Sequence, residues 1–186
     1  MRFLKIIFFV VCFFLTSSWV YAVDDGFGAA KSMESQHFVI SYSSQLDPYS
    51  LLEKLNIGPA DLVLSEGSNL KGDSLVIALD TLYNIVMKDL DMYLYTLQGN
   101  LKICNDRNQL NNLYASIFGH ELKTSSFYIN DYNTIYISAD DFTKEILGHE
   151  IAHLIISHYF VVPPPEKVAE LLAGYVEYQL RKTSRQ

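Results

Sequence analysis

The sequence predicts an α+β fold, and three observations carry that expectation. Strand-like runs at 37–42, 101–104, 125–129 and 134–138 fall before and between helical stretches without strict alternation. A stripe at helical spacing runs through Leu75, Leu79, Leu82, Val86, Leu90 and Tyr93. Two further helices close the chain, split by Pro163-Pro164-Pro165. With 186 residues, 49% of them hydrophobic, the chain suits one domain with an ordinary buried core.

The first 22 residues read as a signal peptide, leaving 23–186 as the single domain. Arg2 and Lys5 form a positive start, 6–15 is almost wholly apolar, and Val20-Tyr21-Ala22 offers small residues where a signal peptidase reads. The apolar run is shorter than the roughly 20 residues of a comfortable membrane span. An uncleaved anchor is the rival reading, and a membrane is expected as a partner only in that case. No Cys follows the cleavage site, which argues against a lipoprotein. The expected location is therefore outside the cytoplasm, periplasmic or secreted. Cys12 lies in this segment, so Cys104 is left without an intramolecular disulfide partner and reads as a small buried hydrophobe.

Along the remainder, 23–36 reads as loose chain. At 37–42, Phe38, Ile40 and Tyr42 alternate with Val39 and Ser41 in the manner of a strand. A short helix is expected over 49–55, and Ser65-Glu66-Gly67-Ser68-Asn69 with Gly72 marks a loop. Asp73 reads as the N-cap of the long helix, with Gly99 as its stop. A strand at 101–104 leads to a helix over 107–118 that Gly119 ends. Asn130-Asp131-Tyr132-Asn133 joins the next two strands as a β-hairpin.

The formal net charge of −7 is a poor match for nucleic acid, whose phosphates call for a basic footprint. The chemistry sits instead in the closing helices. Gly148-His149-Glu150-Ile151-Ala152-His153 contains HExxH. At 100° per residue, His149 and His153 lie about 40° apart on one helical face, one turn from each other, so both imidazoles can reach one Zn²⁺. Glu150 stands at the edge of that face, where it can take a proton from a metal-bound water without occupying the metal. Chance would produce HExxH in roughly one chain in two hundred of this length. Here Leu147, Ile151, Leu154 and Ile155 form an apolar back to the same helix, as a working site needs. His158 falls about 180° from His149 and cannot join the same metal. His37 and His120 carry no spacing argument.

A catalytic zinc site takes three protein ligands and keeps one position open. On the next helix Glu166, Glu170, Ala173, Gly174 and Glu177 share a face, and the small pair Ala173 and Gly174 would let the two helices approach. In an antiparallel hairpin His153 lies about 9 Å back from Tyr159 and Glu170 about 7.5 Å in from Pro165, so the two meet within a turn. Glu170 is the best-placed third ligand, with Glu177 and then Glu166 behind it.

His149-Glu150-Ile151-Ala152-His153 followed by Ala169-Glu170-Leu171-Leu172-Ala173-Gly174-Tyr175 resembles the gluzincin branch of the zincin metallopeptidases. Phe127-Tyr128-Ile129 and Thr134-Ile135-Tyr136-Ile137 resemble the strands ahead of the active-site helix in small secreted bacterial members. The resemblance spans roughly residues 125–180. It implies a zincin-like fold, a small mixed or antiparallel sheet with an active-site helix and a following ligand-bearing helix. It also implies zinc-dependent hydrolysis of a peptide or protein substrate laid along a sheet edge, with Glu150 activating a zinc-bound water. Several gluzincin groups carry an Asp four residues after the ligand Glu, where it can orient a ligand His; this chain has Gly174 there, so either another group such as Glu177 substitutes or the site is weaker. A Tyr or His that stabilises the oxyanion is expected too; Tyr159, Tyr175 and Tyr178 are all at hand, and spacing does not choose between them. The alternative function is a non-catalytic zinc-binding envelope protein that keeps the site without turnover.

Overall fold

The computed structural model describes residues 26–28, 30–57 and 74–183. The expected signal segment, the loop at 65–72 and the N-cap Asp73 lie outside the described residues. Within them the fold is α+β, with five strands in one mixed sheet and five α-helices.

Strands β1 (Ala30–Glu34) and β2 (Phe38–Ser43) pair antiparallel, and helix α1 (Pro48–Leu55) follows, capped by the Asp47 side chain. The long helix α2 (Ser74–Leu90) leads to β3 (Gly99–Cys104) and α3 (Arg107–Phe118). Strands β4 (Ser126–Ile129) and β5 (Thr134–Ser138) form the expected hairpin, and α4 (Lys144–Tyr159) and α5 (Glu166–Thr183) close the chain. The sheet order is β1-β2-β3-β5-β4, parallel in the middle, with an antiparallel strand at each edge.

Alternation of side chains divides the core. Phe38, Ile40, Leu101, Ile103, Ile135 and Ile137 point to the face covered by α1, α2, α4 and α5. Cys104, Phe127 and Tyr136 point to the other, where Leu110 and Leu113 of α3 meet them. Cys104 is buried, as its apolar setting predicts.

Three expectations need correction. Residues 30–34 are a strand, not loose chain: β1 is an edge strand, largely exposed, so its backbone pairing leaves no hydrophobic alternation to read. The long helix ends at Leu90 and not near Gly99. Asp91 adopts φ 53°, and Met92 N–H closes back on Met87 O at 3.0 Å, so a short polar side chain in the left-handed region stops the helix. Tyr93 therefore leaves the core stripe and is exposed. Gly99 instead opens β3, where an added Cβ would lie 2.9 Å from Leu154 Cδ2 of α4. The glycine that lets α4 and α5 approach is Gly148, since a Cβ there would lie 2.2 Å from Leu180 Cδ1, whereas Gly174 has open space around it. Ala173 is buried in the contact between the two helices, as the small-residue reading anticipates.

Candidate metal centre

Thr143 starts α4 by accepting from Ile146 N–H at 3.4 Å. Leu147, Ile151, Leu154 and Ile155 then bury the back of the helix and fix its rotation. His149 and His153 consequently emerge together on the side toward α5, with their Nε2 atoms 3.2 Å apart. Ala173, Val176 and Leu180 seat α5 against the same helix. That seating brings Glu170 Oε1 to 3.3 Å from His153 Nε2 and Glu170 Oε2 to 3.6 Å from His149 Nε2. Among the described residues, His149, His153 and Glu170 form a group that can hold a metal ion. Glu170 is half-exposed and the histidines partly buried, so the group opens to solvent along α5.

Burial holds the His153 imidazole below its ordinary value; His149 adds to that shift and the Glu170 carboxylate opposes it. The ring is thus kept neutral, the form in which a nitrogen can bind a metal. His149 Nδ1 is buried without a hydrogen bond, and Glu177 Oε2 stands 3.6 Å from it. Arg181 pairs with Glu177 from one turn further along α5. Glu177 therefore approaches His149 from the nitrogen that faces away from the group of His149, His153 and Glu170. Glu166 is exposed and takes no part.

Glu150, only 6% exposed, accepts a hydrogen bond of 2.7 Å on Oε1 from the Ser126 hydroxyl of β4. Burial raises its carboxyl to about 7; the Ser126 hydrogen bond works against that rise and the charge of Glu170 adds to it. A carboxyl poised near neutrality beside a metal-binding group can both accept and release a proton.

The remaining histidines, none of them expected at the metal, and the three tyrosines at hand for the oxyanion are placed elsewhere. His158 is exposed and turns back to Leu154 O at 2.9 Å. His37 is fully buried, with Nδ1 3.1 Å from Leu97 O and its ring stacked on Tyr83. His120 meets the Tyr114 ring edge-on. Tyr159, Tyr175 and Tyr178 are exposed. The tyrosine that does face α4 is Tyr128 of β4, whose hydroxyl lies 3.0 Å from Ser157 Oγ, one turn beyond His153. Ser126 and Tyr128 were legible only as alternate positions of one strand: parity puts them on a common face, and nothing in the sequence says that α4 covers it.

Comparison of the chain with protein-family models, with curated proteins and with solved structures gave no match in any of the three.

Proposed function

We propose that the chain is an exported zinc metallopeptidase, with His149, His153 and Glu170 as zinc ligands and Glu150 as the general base. One observation carries the reading. Donor atoms about 2.0–2.1 Å from a tetrahedral ion stand about 3.3–3.4 Å from one another. Here the two Nε2 atoms lie 3.2 Å apart, and the Glu170 carboxylate meets them with Oε1 3.3 Å from His153 Nε2 and Oε2 3.6 Å from His149 Nε2, one donor atom from each residue lying within 4.8 Å of the others. Two imidazoles with one carboxylate favour zinc over calcium or magnesium, which prefer oxygen alone.

Bound zinc supplies a Lewis acid that polarises a carbonyl and makes water easier to ionise. The chain's own groups do the rest. Glu150 accepts a proton from the attacking water and delivers it to the leaving amine nitrogen. Ser126 holds one carboxylate oxygen and leaves the other for that transfer. Glu177 can accept from His149 Nδ1–H, which fixes the tautomer that presents Nε2 to the metal. A peptide can enter as an added strand along the outer edge of β4, the strand that carries Ser126 beside Glu150. Export rests on Arg2, Lys5, the apolar run and Val20-Tyr21-Ala22.

The test combines elemental analysis after zinc reconstitution with cleavage of a mixed peptide library. Wild type should hold one zinc and cleave, Glu150→Gln should hold one zinc and not cleave, and Glu170→Ala should lose both. Folded protein without zinc at neutral pH would end the proposal. Zinc binding without any cleavage would leave the non-catalytic envelope protein in its place.

A further inference from the structure

Helix α5 carries two apolar faces, and only one of them is used. Ala173, Val176 and Leu180 pack inward. Val168, Leu171, Tyr175 and Tyr178 lie within an arc of about 80° on the opposite side, at 100° per residue. All four are exposed, Leu171 by 71% and Tyr178 by 62%. The connection that precedes α5 is apolar and exposed as well: Val161 is fully exposed and Val162 79% exposed, beside Phe160. Pro163-Pro164-Pro165 follows, and fixed φ angles stiffen that tip. Aliphatic side chains held out in water at a rigid tip mark an interaction site.

Charge identifies the partner. The chain is acidic, at −7, yet the outer half of α5 holds Lys167 and Lys182 and no carboxylate. Its three acids, Glu166, Glu170 and Glu177, occupy a separate arc, two of them beside the histidines. A second copy of the same face would bring lysines and no acids, so self-pairing lacks charge complementarity. Aromatic and aliphatic side chains flanked by lysines alone are the composition that settles at an anionic membrane interface. No helix among the described residues is long and apolar enough to cross a membrane, so the contact is a surface one.

We infer that the tip at 160–162 and the outer face of α5 dock on a phospholipid bilayer carrying anionic headgroups. Tyrosine rings and valines enter the headgroup boundary, and Lys167 and Lys182 meet the phosphates. Glu170 lies on the neighbouring side of α5, so the metal-binding group stays open to solvent close to the bilayer. The inference stands whether or not the chain cleaves peptides.

The test uses the full chain with a single tryptophan at the tip, made by Trp19→Phe with Val162→Trp. Vesicles of phosphatidylcholine, with and without phosphatidylglycerol, are compared, and brominated lipid serves as the quencher. Emission should shift to shorter wavelength and be quenched on phosphatidylglycerol vesicles, less so at high salt. Lys167→Gln with Lys182→Gln should lower the apparent partition coefficient by roughly thirtyfold. Leu171→Glu should lower it as well. All these side chains are exposed, and an unchanged melting temperature confirms folding. Unchanged emission from chain that nevertheless sediments with vesicles would overturn the inference, because the N-terminal segment alone would then hold it. Self-association that Leu171→Glu abolishes, with no response to lipid, would overturn it in favour of an interface between copies.

Discussion

Glu177 Oε2 lies 3.6 Å from His149 Nδ1, while Nε2 of the same ring faces His153 Nε2 at 3.2 Å. The two nitrogens thus have separate partners, a carboxylate behind and a metal-binding group in front. Glu177 sits seven residues after Glu170, two helical turns, so both reach the same side of α5. Position 174 is a glycine with open space around it, and the carboxylate that approaches His149 Nδ1 comes from Glu177, three residues further on. Glu177→Ala should lower zinc affinity roughly tenfold to a hundredfold while leaving three ligands in place. Competition against a chelator of known affinity measures this. Unchanged affinity would show that His149 needs no carboxylate behind it.

The Ser126 hydroxyl stands in the same relation to Glu150, across 2.7 Å. Removing it leaves a buried carboxylate short of a hydrogen bond and free to rotate. Ser126→Ala should keep full zinc content and lower kcat on the order of tenfold, equivalent to about 1.4 kcal/mol, with KM little changed. Ser126→Thr, which keeps the hydroxyl, should recover much of the loss. Equal kcat values for Ser126→Ala and wild type would remove Ser126 from the machinery.

The sequence made α4 and its histidines legible because helical geometry ties their spacing to one face, with Thr143 and an apolar back to agree. Glu170 was legible for a similar reason, since a proline-broken hairpin of known rise fixes which levels meet. Glu177 and Ser126 were harder. Their roles depend on how far α5 rotates against α4 and on which face of β4 the helix covers, and both follow from packing at Gly148, Ala173 and Leu180. Edge strand β1 was illegible because backbone pairing, not side-chain burial, defines it. The helix stop at Asp91 was missed because glycine at 99 offered the more familiar signal, while Asp in the left-handed region leaves no pattern of its own.

Burial of Glu150 has a consequence for the metal-free protein. Its carboxyl is raised from 4.5 to about 7 in the fold, so the folded state prefers the protonated form. The associated stability is fully present below the unfolded value and is lost as pH rises through about 7. Glutamine is neutral throughout and escapes that loss. Metal-free Glu150→Gln should therefore gain stability over metal-free wild type between pH 4.5 and 8, by up to about 3 kcal/mol. Urea unfolding in chelator at the two ends of that range checks it. A difference that stays constant with pH would mean that the buried carboxyl does not titrate there.

Metal removal should matter only above a definite pH. Zinc needs neutral imidazoles, and an unfolded histidine titrates near 6.5, so protons and metal compete for His149 and His153. His153 is held below its ordinary value by burial, so the metal-free fold keeps that ring neutral into mild acid, at a cost to its own stability. Because the folded value is the lower one, the stability tied to His153 is full above 6.5 and declines as pH falls. Both forms therefore weaken in acid, but the zinc-loaded form also loses its ligand. At a zinc concentration of about 100 times Kd, binding adds about 2.7 kcal/mol, which moves the melting temperature of a domain this size by roughly 5–10 °C. That gap should be complete at pH 7.5, narrow below 6.5, and close near pH 5, and a chelator should erase it at neutral pH while changing nothing at pH 5. Zinc held by His149, His153 and Glu170 would tie α4 to α5, so amide exchange in those two helices should rise first on chelation. Thermal unfolding with and without chelator across this range is the measurement. A gap of constant size from pH 5 to 7.5 would show that the stabilising metal is bound by groups other than the two histidines.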